Sequence, residues 1–389
     1  MISVAEALDG VLSLVKPLGT ETVPLSQAAG RVLAAPACAT RDQPPFASSA
    51  MDGYAVRDAD LQPGAALCVI GESAAGARSD AIVNAGEAVR IFTGAPVPGG
   101  ADRILIQEDC TRQGDTITVG QNLDPSTYIR PAGGDFRTGD TLDAPRPIGA
   151  AEVSLLASMN VARVTVRKRP EVALIATGDE LVMPGEVPGP DQIVSSNNLG
   201  LAALVIANGG IARGLPIAAD TEAALLQTFD FARGADLIIT LGGASVGDRD
   251  LVRKVAQDAG LNQSFYKVAM RPGKPLMAGK LHGAAMIGLP GNPVSALVCG
   301  HVFVLPALRK MLGLPPQTPL QEAPLSCDIV PNGPRTHYMR ARLENGTVTP
   351  LERQDSSLLS VMAQANCLVV RQPYEPNREV GEPMHYLAL

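Results

Sequence analysis

The stretch EVALIATGDE, residues 171–180, decides the fold. Its apolar run 172–175 has the length and composition of a strand, and it exits into Thr177-Gly178-Asp179-Glu180, a glycine turn carrying two carboxylates. The pattern continues downstream. Segments 199–207 and 221–232 are helix-like, 236–240 is strand-like, 251–259 is helix-like, and 266–269 and 284–287 are again strand-like. Strands alternating with helices in this way predict an open parallel sheet with helices on both faces.

Toward the N-terminus, the basic segment Arg167-Lys168-Arg169-Pro170 marks a boundary near 168. Residues 19–140 are rich in Gly, Pro and short β-branched runs such as 81–83 and 104–106, which predict short strands joined by tight turns. Segment 150–159 is helix-like and 161–166 alternates like a strand. Val4, Leu8, Val11, Leu12 and Val15 fall at helical spacing, while Glu6 and Asp9, with no early basic residue, argue against a secretory signal. Beyond about 317, short strands at 367–370 and 384–387 predict a separate small β domain.

The length of 389 residues predicts two to four domains at roughly 100–200 residues each. Lys+Arg 32 against Asp+Glu 39 gives a net charge of -7, with no excess to neutralise a nucleic-acid backbone. Aromatics at 3% leave few platforms for stacking bases or sugars, so the chemistry must rest on backbone and charge. The six scattered cysteines contain no C-x-x-C and read as buried reduced thiols; the four dispersed histidines read as structural. The most apolar later stretch, 294–308, contains His301 and Pro306 and is too short to span a bilayer. A soluble cytoplasmic protein with no nucleic-acid or membrane partner is expected.

In open α/β sheets, ligands bind beyond the carboxyl ends of the strands. Four loops are expected on that edge and in one pocket: TGDE at 177–180, LGGASVGDRD at 241–250, MRPGKP at 270–275 and LPGNPVSA at 289–296. Gly242 and Gly243 have no Cβ to block a close backbone approach, and the loop through Ser245 can present successive N–H groups to an anion. Asn292 is a candidate N-cap with Pro293 at the first helical position, which aims a helix N-terminus at the same place. Arg271 and Lys274 add positive charge, and Asp179, Glu180, Asp248 and Asp250 add carboxylates. Carboxylates beside phosphate binders suggest a divalent metal, and Mg²⁺ suits one or two carboxylates with phosphates and waters. Each piece alone is an ordinary turn or cap; their co-location is the specific signal. SAMDGYA at 49–55, IFTGAP at 91–96 and RPAGGD at 130–135 read as turns on physical grounds alone.

The ordered set SAMDGYA, IFTGAPVP, RPAGGD, TGDEL, GGASVGDRD, MRPGKP and LPGNPVSA resembles the molybdopterin molybdenumtransferase family, which is related to the C-terminal domain of gephyrin. The resemblance runs from about residue 49 to 296. It implies an α/β plus β fold in a multidomain, elongated subunit. Residues 1–18 and 169–316 would form a doubly wound parallel-sheet domain, 19–45 and 140–168 a linking domain, 46–139 a β-rich domain, and 317–389 a small β-barrel-like domain. It implies a transferase that inserts molybdenum from molybdate into adenylyl-molybdopterin in a Mg²⁺-dependent step, releasing AMP and the molybdenum cofactor. It also implies a homodimer, with the site between the α/β domain of one subunit and the β-rich domain of the other. Further implied partners are a molybdopterin adenylyltransferase and molybdoenzyme maturation proteins.

Carried over position by position, Asp52, Thr93, Asp135, Glu180 and Asp250 match functional residues of these motifs, and Glu180 and Asp250 would hold the metal. Asp220 matches a further acid, with Ala219 as the competing alignment. Lys267 matches the basic residue shortly before MRPGKP, and Pro290 and Pro293 match the prolines of PGNP. Arg271 and Lys274 stand for the family's basic pair, with Arg271 in place of the commoner Lys; a guanidinium keeps the charge and can grip an oxyanion with two donors. Arg340 and Ser356, or Ser357, resemble the remaining oxyanion contacts. Two other readings compete: a phosphate-ester or pyrophosphate hydrolase on the same α/β fold, and a non-enzymatic gephyrin-like scaffold.

Overall fold

The computed structural model describes residues 1–242 and 251–389. The deciding strand, Glu171–Ala176, lies inside a six-stranded sheet. The order is Ile211–Gly214, Glu171–Ala176, Leu237–Leu241, Ala284–Leu289, Met277–Leu281 and Asn262–Tyr266. The first four are parallel, whereas Met277–Leu281 runs antiparallel to both of its neighbours. The sheet is therefore mixed, which corrects the wholly parallel expectation. The last strand also ends before the expected 266–269, because Lys267 takes a left-handed backbone, φ 70, and breaks the extended run.

Side-chain alternation explains the two covered faces. Val172 and Leu174 point into one core with Leu201, Val205, Val298 and Phe303; Ala173 and Ile175 point into another with Leu225, Phe229, Val252 and Val255. Fully burying each large aliphatic side chain stabilises the fold by about 1.5–3 kcal/mol. The N-terminal helix Val4–Leu14 joins the first core through Ala7 and Val11, and a Ser3–Glu6 capping box holds its start. Among the described residues, Pro293–Met311 is one 19-residue helix long and apolar enough to cross a membrane, so the shorter run read from sequence understated it. With 72% of that window buried inside the chain, it serves as a core helix.

Outside this sheet, Thr20–Pro24 and Val32–Leu33 pair with Arg163–Arg167, and Arg146–Pro147 extends the same sheet. A six-stranded sheet from Gly53–Val56 to Thr116–Val119 carries the end of SAMDGYA and the start of IFTGAP, whereas RPAGGD begins on Ile129–Arg130, which pairs with Ser48–Ser49. The expected strand at 81–83 is only an isolated bridge between Ile82 and Gly99, because a turn closed by the Asn84 amide on Glu87 cuts the run short. Three cysteines, Cys38, Cys68 and Cys327, are exposed rather than buried, whereas Cys299 and Cys367 are interior.

The C-terminal sheet contains one strand from elsewhere. Met270–Arg271 pairs in parallel with Thr336–Glu344, placing Arg271 beside His337. Tyr338, Met362, Leu368 and Val370 then pack into the α/β core. The C-terminal domain is thus joined to the edge where the informative loops emerge.

Candidate active site

Three strand exits are tied together by the backbone. The Thr177 amide donates to the Leu241 carbonyl at 3.1 Å, and the Gly242 amide donates to that of Leu289 at 3.3 Å. Gly178 has φ +145, and a Cβ there would stand 2.5 Å from Glu180 Oε2, so glycine lets the Glu180 carboxylate fold back over the turn. Gly242 has φ +95, and a Cβ there would lie 2.8 Å from the Thr177 carbonyl oxygen. The neighbouring strand exit therefore requires this glycine, before any ligand is considered.

The single expected pocket is two adjoining cavities. The first, about 560 Å³, is lined by Glu180, Asp220, Gly242, Asn197 and Pro293. The second, about 300 Å³, is lined by Arg271, Lys274, Ser295, Arg335 and Ser356. Pro275, Pro290 and Asn292 line both, so an acidic chamber and a basic chamber share one wall.

In the acidic chamber, the Asp220 amide donates to Asp179 Oδ1 at 3.0 Å. Burial first, and then the negative charges of Asp179 and Glu180, push the Asp220 carboxyl above its ordinary value. Of the two competing positions, Asp220 lines the chamber and Ala219 does not. Among the described residues, no three His, Cys, Asp or Glu side chains converge as a complete metal cage. The crowded carboxyls nonetheless suit a hard divalent cation that retains several waters.

In the basic chamber, Asn292 caps Pro293–Cys299, the first segment of the Pro293–Met311 helix, by position, but its side-chain amide donates to Ser356 Oγ at 3.0 Å. The Val294 amide donates to the Ser356 carbonyl at 3.1 Å. The Val294 N–H is therefore occupied by protein, so this one of the amides expected to face an anion is not free, while Ser295 of the same turn lines the chamber. Arg335, which the sequence reading did not single out, lines the chamber through the pairing of Met270–Arg271 with Thr336–Glu344. The buried His337 imidazole is pushed down to about 4 by burial and then by Arg271, Arg340, Arg371 and Arg335, so it is neutral at pH 7.

Other candidates stand apart from these chambers. Arg340 is fully buried and lines neither cavity. Lys267 also lines neither; its ammonium lies 5.0 Å from the Tyr266 ring centroid. Asp52 Oδ1 accepts from both the amide and the hydroxyl of Thr93 at 2.7 Å, which holds the Asp52 carboxyl below its ordinary value. Asp135 is exposed on its own loop. Gly243, Ser245, Asp248 and Asp250 lie outside the described residues.

The chain matches the MoeA N-terminal region (domain I and II) over residues 2–160, a probable molybdopterin binding domain over 173–310, and the MoeA C-terminal region (domain IV) over 322–389. It is 35% identical over 379 residues to the molybdopterin molybdenumtransferase of Haemophilus influenzae, covering 94% of this chain and 93% of the relative. The chain belongs to the molybdopterin molybdenumtransferase family.

Another molybdopterin molybdenumtransferase, from Nostoc, is 38% identical over 329 residues, covering 81% of this chain and 75% of its own. A crystal structure of the molybdopterin biosynthesis moeA protein from Pyrococcus horikoshii superposes with a TM-score of 0.85 at 28% identity, covering 100% of both chains. The molybdopterin molybdenumtransferases are transferases of molybdenum cofactor biosynthesis, and the α/β plus β multidomain fold is theirs.

Proposed function

We propose that the chain inserts molybdenum from molybdate into adenylyl-molybdopterin, releasing AMP and molybdenum cofactor, with the two chambers dividing the substrates between them. The supporting observation is the shared wall of Pro275, Pro290 and Asn292 between a cation-lined and a carboxylate-lined cavity. Molybdate is a tetrahedral dianion. Arg271, Lys274 and Arg335 offer it charge-assisted hydrogen bonds, and Ser356 offers a hydroxyl, so binding also orients its oxygens. The adenylate end of the other substrate would lie toward Glu180 and Asp220, which places the anhydride between the chambers. No side-chain nucleophile is needed, because positioning and fixed charge supply the rate enhancement.

Mg²⁺, held at Glu180 and Asp250, would neutralise charge on the adenylate phosphates and on the departing AMP. The enzyme is read as cytoplasmic and as a homodimer. The pre-organised Asp52–Thr93 pair and Asp135 support the second point, since among the described residues they line neither chamber and a second copy can supply them. Glu180→Ala should abolish molybdate-dependent AMP release while leaving circular dichroism and Tm near wild type; normal turnover in that variant would remove the assignment.

A further inference from the structure

We infer that Arg90 is a positioning residue that holds Asp52 against Thr93 from behind; this rests on reading Asp52 and Thr93 as participants in turnover. The pair joins two motifs 41 residues apart, and Asp52 Oδ1 alone accepts both Thr93 bonds. Thr93 is exposed and Asp52 half-buried, so those bonds compete with water and do not by themselves fix a geometry. A single side chain frames them. Arg90 stands opposite Tyr54 on the paired strand, with its guanidinium 5.1 Å from the Tyr54 ring centroid and 4.8 Å from that of Phe92. Its Nη1 donates to the Gly53 carbonyl at 3.1 Å and its Nη2 to Gln107 Oε1 at 2.9 Å. Gly53 follows Asp52, Phe92 precedes Thr93, and the Gln107 amide donates to the Asp52 carbonyl at 3.2 Å. One planar group thus grips the chain beside both members of the pair, together with the segment that holds the Asp52 carbonyl.

Covering an aromatic ring is a common task for an arginine on a strand, and a partly exposed cation over a ring contributes little. Two observations go beyond that task. Among the described residues no carboxylate comes within ion-pair distance of Arg90, so its charge is left to act on Asp52. The Thr93 amide, then the Thr93 hydroxyl, and to a smaller degree the Arg90 charge hold the Asp52 carboxyl below its ordinary value. The two acceptors, moreover, lie in different segments, which a forked donor reaches together and a point charge does not. Arg90 lines neither chamber, so its removal leaves the residues of the basic chamber in place. What its loss would change is the aim of the Asp52 carboxylate, and a misplacement of about 1 Å in a reacting assembly can slow turnover by roughly a hundredfold.

The test follows AMP release from adenylyl-molybdopterin by the full chain at varied molybdate, beside thermal unfolding. Arg90→Met, which keeps an apolar cover over both rings, should lower kcat by about tenfold while KM for molybdate and Tm stay near wild type. Arg90→Lys keeps the charge without the fork, and it should not restore the rate. A double-mutant cycle decides the cause. Arg90→Met added to Thr93→Ala should slow that variant by less than about twofold, because both changes break one arrangement, whereas unrelated effects multiply. If Arg90→Met does not fold, Gln107→Leu, which removes the Nη2 acceptor and leaves both rings covered, takes its place in every comparison. Wild-type kcat, rescue by Arg90→Lys, a raised KM for molybdate or multiplied effects in the cycle would overturn the inference while leaving the role of Asp52 standing. Wild-type turnover in Asp52→Ala would overturn the reading of the pair itself, and this inference with it.

Discussion

Asp220 shows how single residues at this site carry competing demands. Burial and the charges of Asp179 and Glu180 raise its carboxyl, so the folded chain holds a proton there more readily than the unfolded chain. Its contribution to stability is therefore fully present below the unfolded value and is lost as pH rises through the raised folded value. Asp220→Asn should raise Tm at pH 7 and leave it unchanged near pH 3, as read by calorimetry at both; a lower Tm at pH 7 would contradict the cause given. Gly242→Ala should destabilise the chain, since the new Cβ would press on the Thr177 carbonyl at positive φ, at a cost of about 1–3 kcal/mol in denaturant melts. Glycine, Lys274 and Glu180 were legible because local motifs announce them. Arg335 was not, because a strand pairing more than sixty residues apart in sequence, Arg271 with His337, brings it to the chamber and no local spacing reports that.

Secondary-structure elements are legible in the sequence where hydrophobic period decides them. The strands Glu171–Ala176, Leu237–Leu241 and Ala284–Leu289 and the helices between them follow the apolar pattern closely. Sequence and structure part where one residue's backbone overrides composition, as at Lys267, or where the connection reverses direction, as at Met277–Leu281. The N-terminal helix offers a clean test of an element held by both cap and core. Ser3→Ala removes the capping box and should cost about 1 kcal/mol of unfolding free energy. An unchanged denaturation midpoint would mean that burial of Ala7 and Val11 alone fixes that helix.

At the scale of the whole molecule, the first-half motifs and the strand-exit chambers belong to different domains of one chain. Composition and spacing could not show how they meet, and only the family resemblance supplied an expectation. If two copies complete each site, the inactive variants Asp52→Ala and Lys274→Ala should complement on mixing. Random exchange would restore about a quarter of wild-type AMP release, one intact site in each mixed dimer. No recovery after verified subunit exchange would argue that each chain works alone.

The claim on which the rest turns is that Arg271, Lys274, Arg335 and Ser356 surround an oxyanion next to the carboxylates of Glu180 and Asp220. Crystals soaked in tungstate, a heavier tetrahedral dianion than molybdate, would show it by anomalous scattering. A peak within hydrogen-bonding distance of Lys274 and Ser356, lost in Lys274→Ala, is the expected result. A tungsten peak bound only elsewhere, with the basic chamber empty at saturating tungstate, would contradict it.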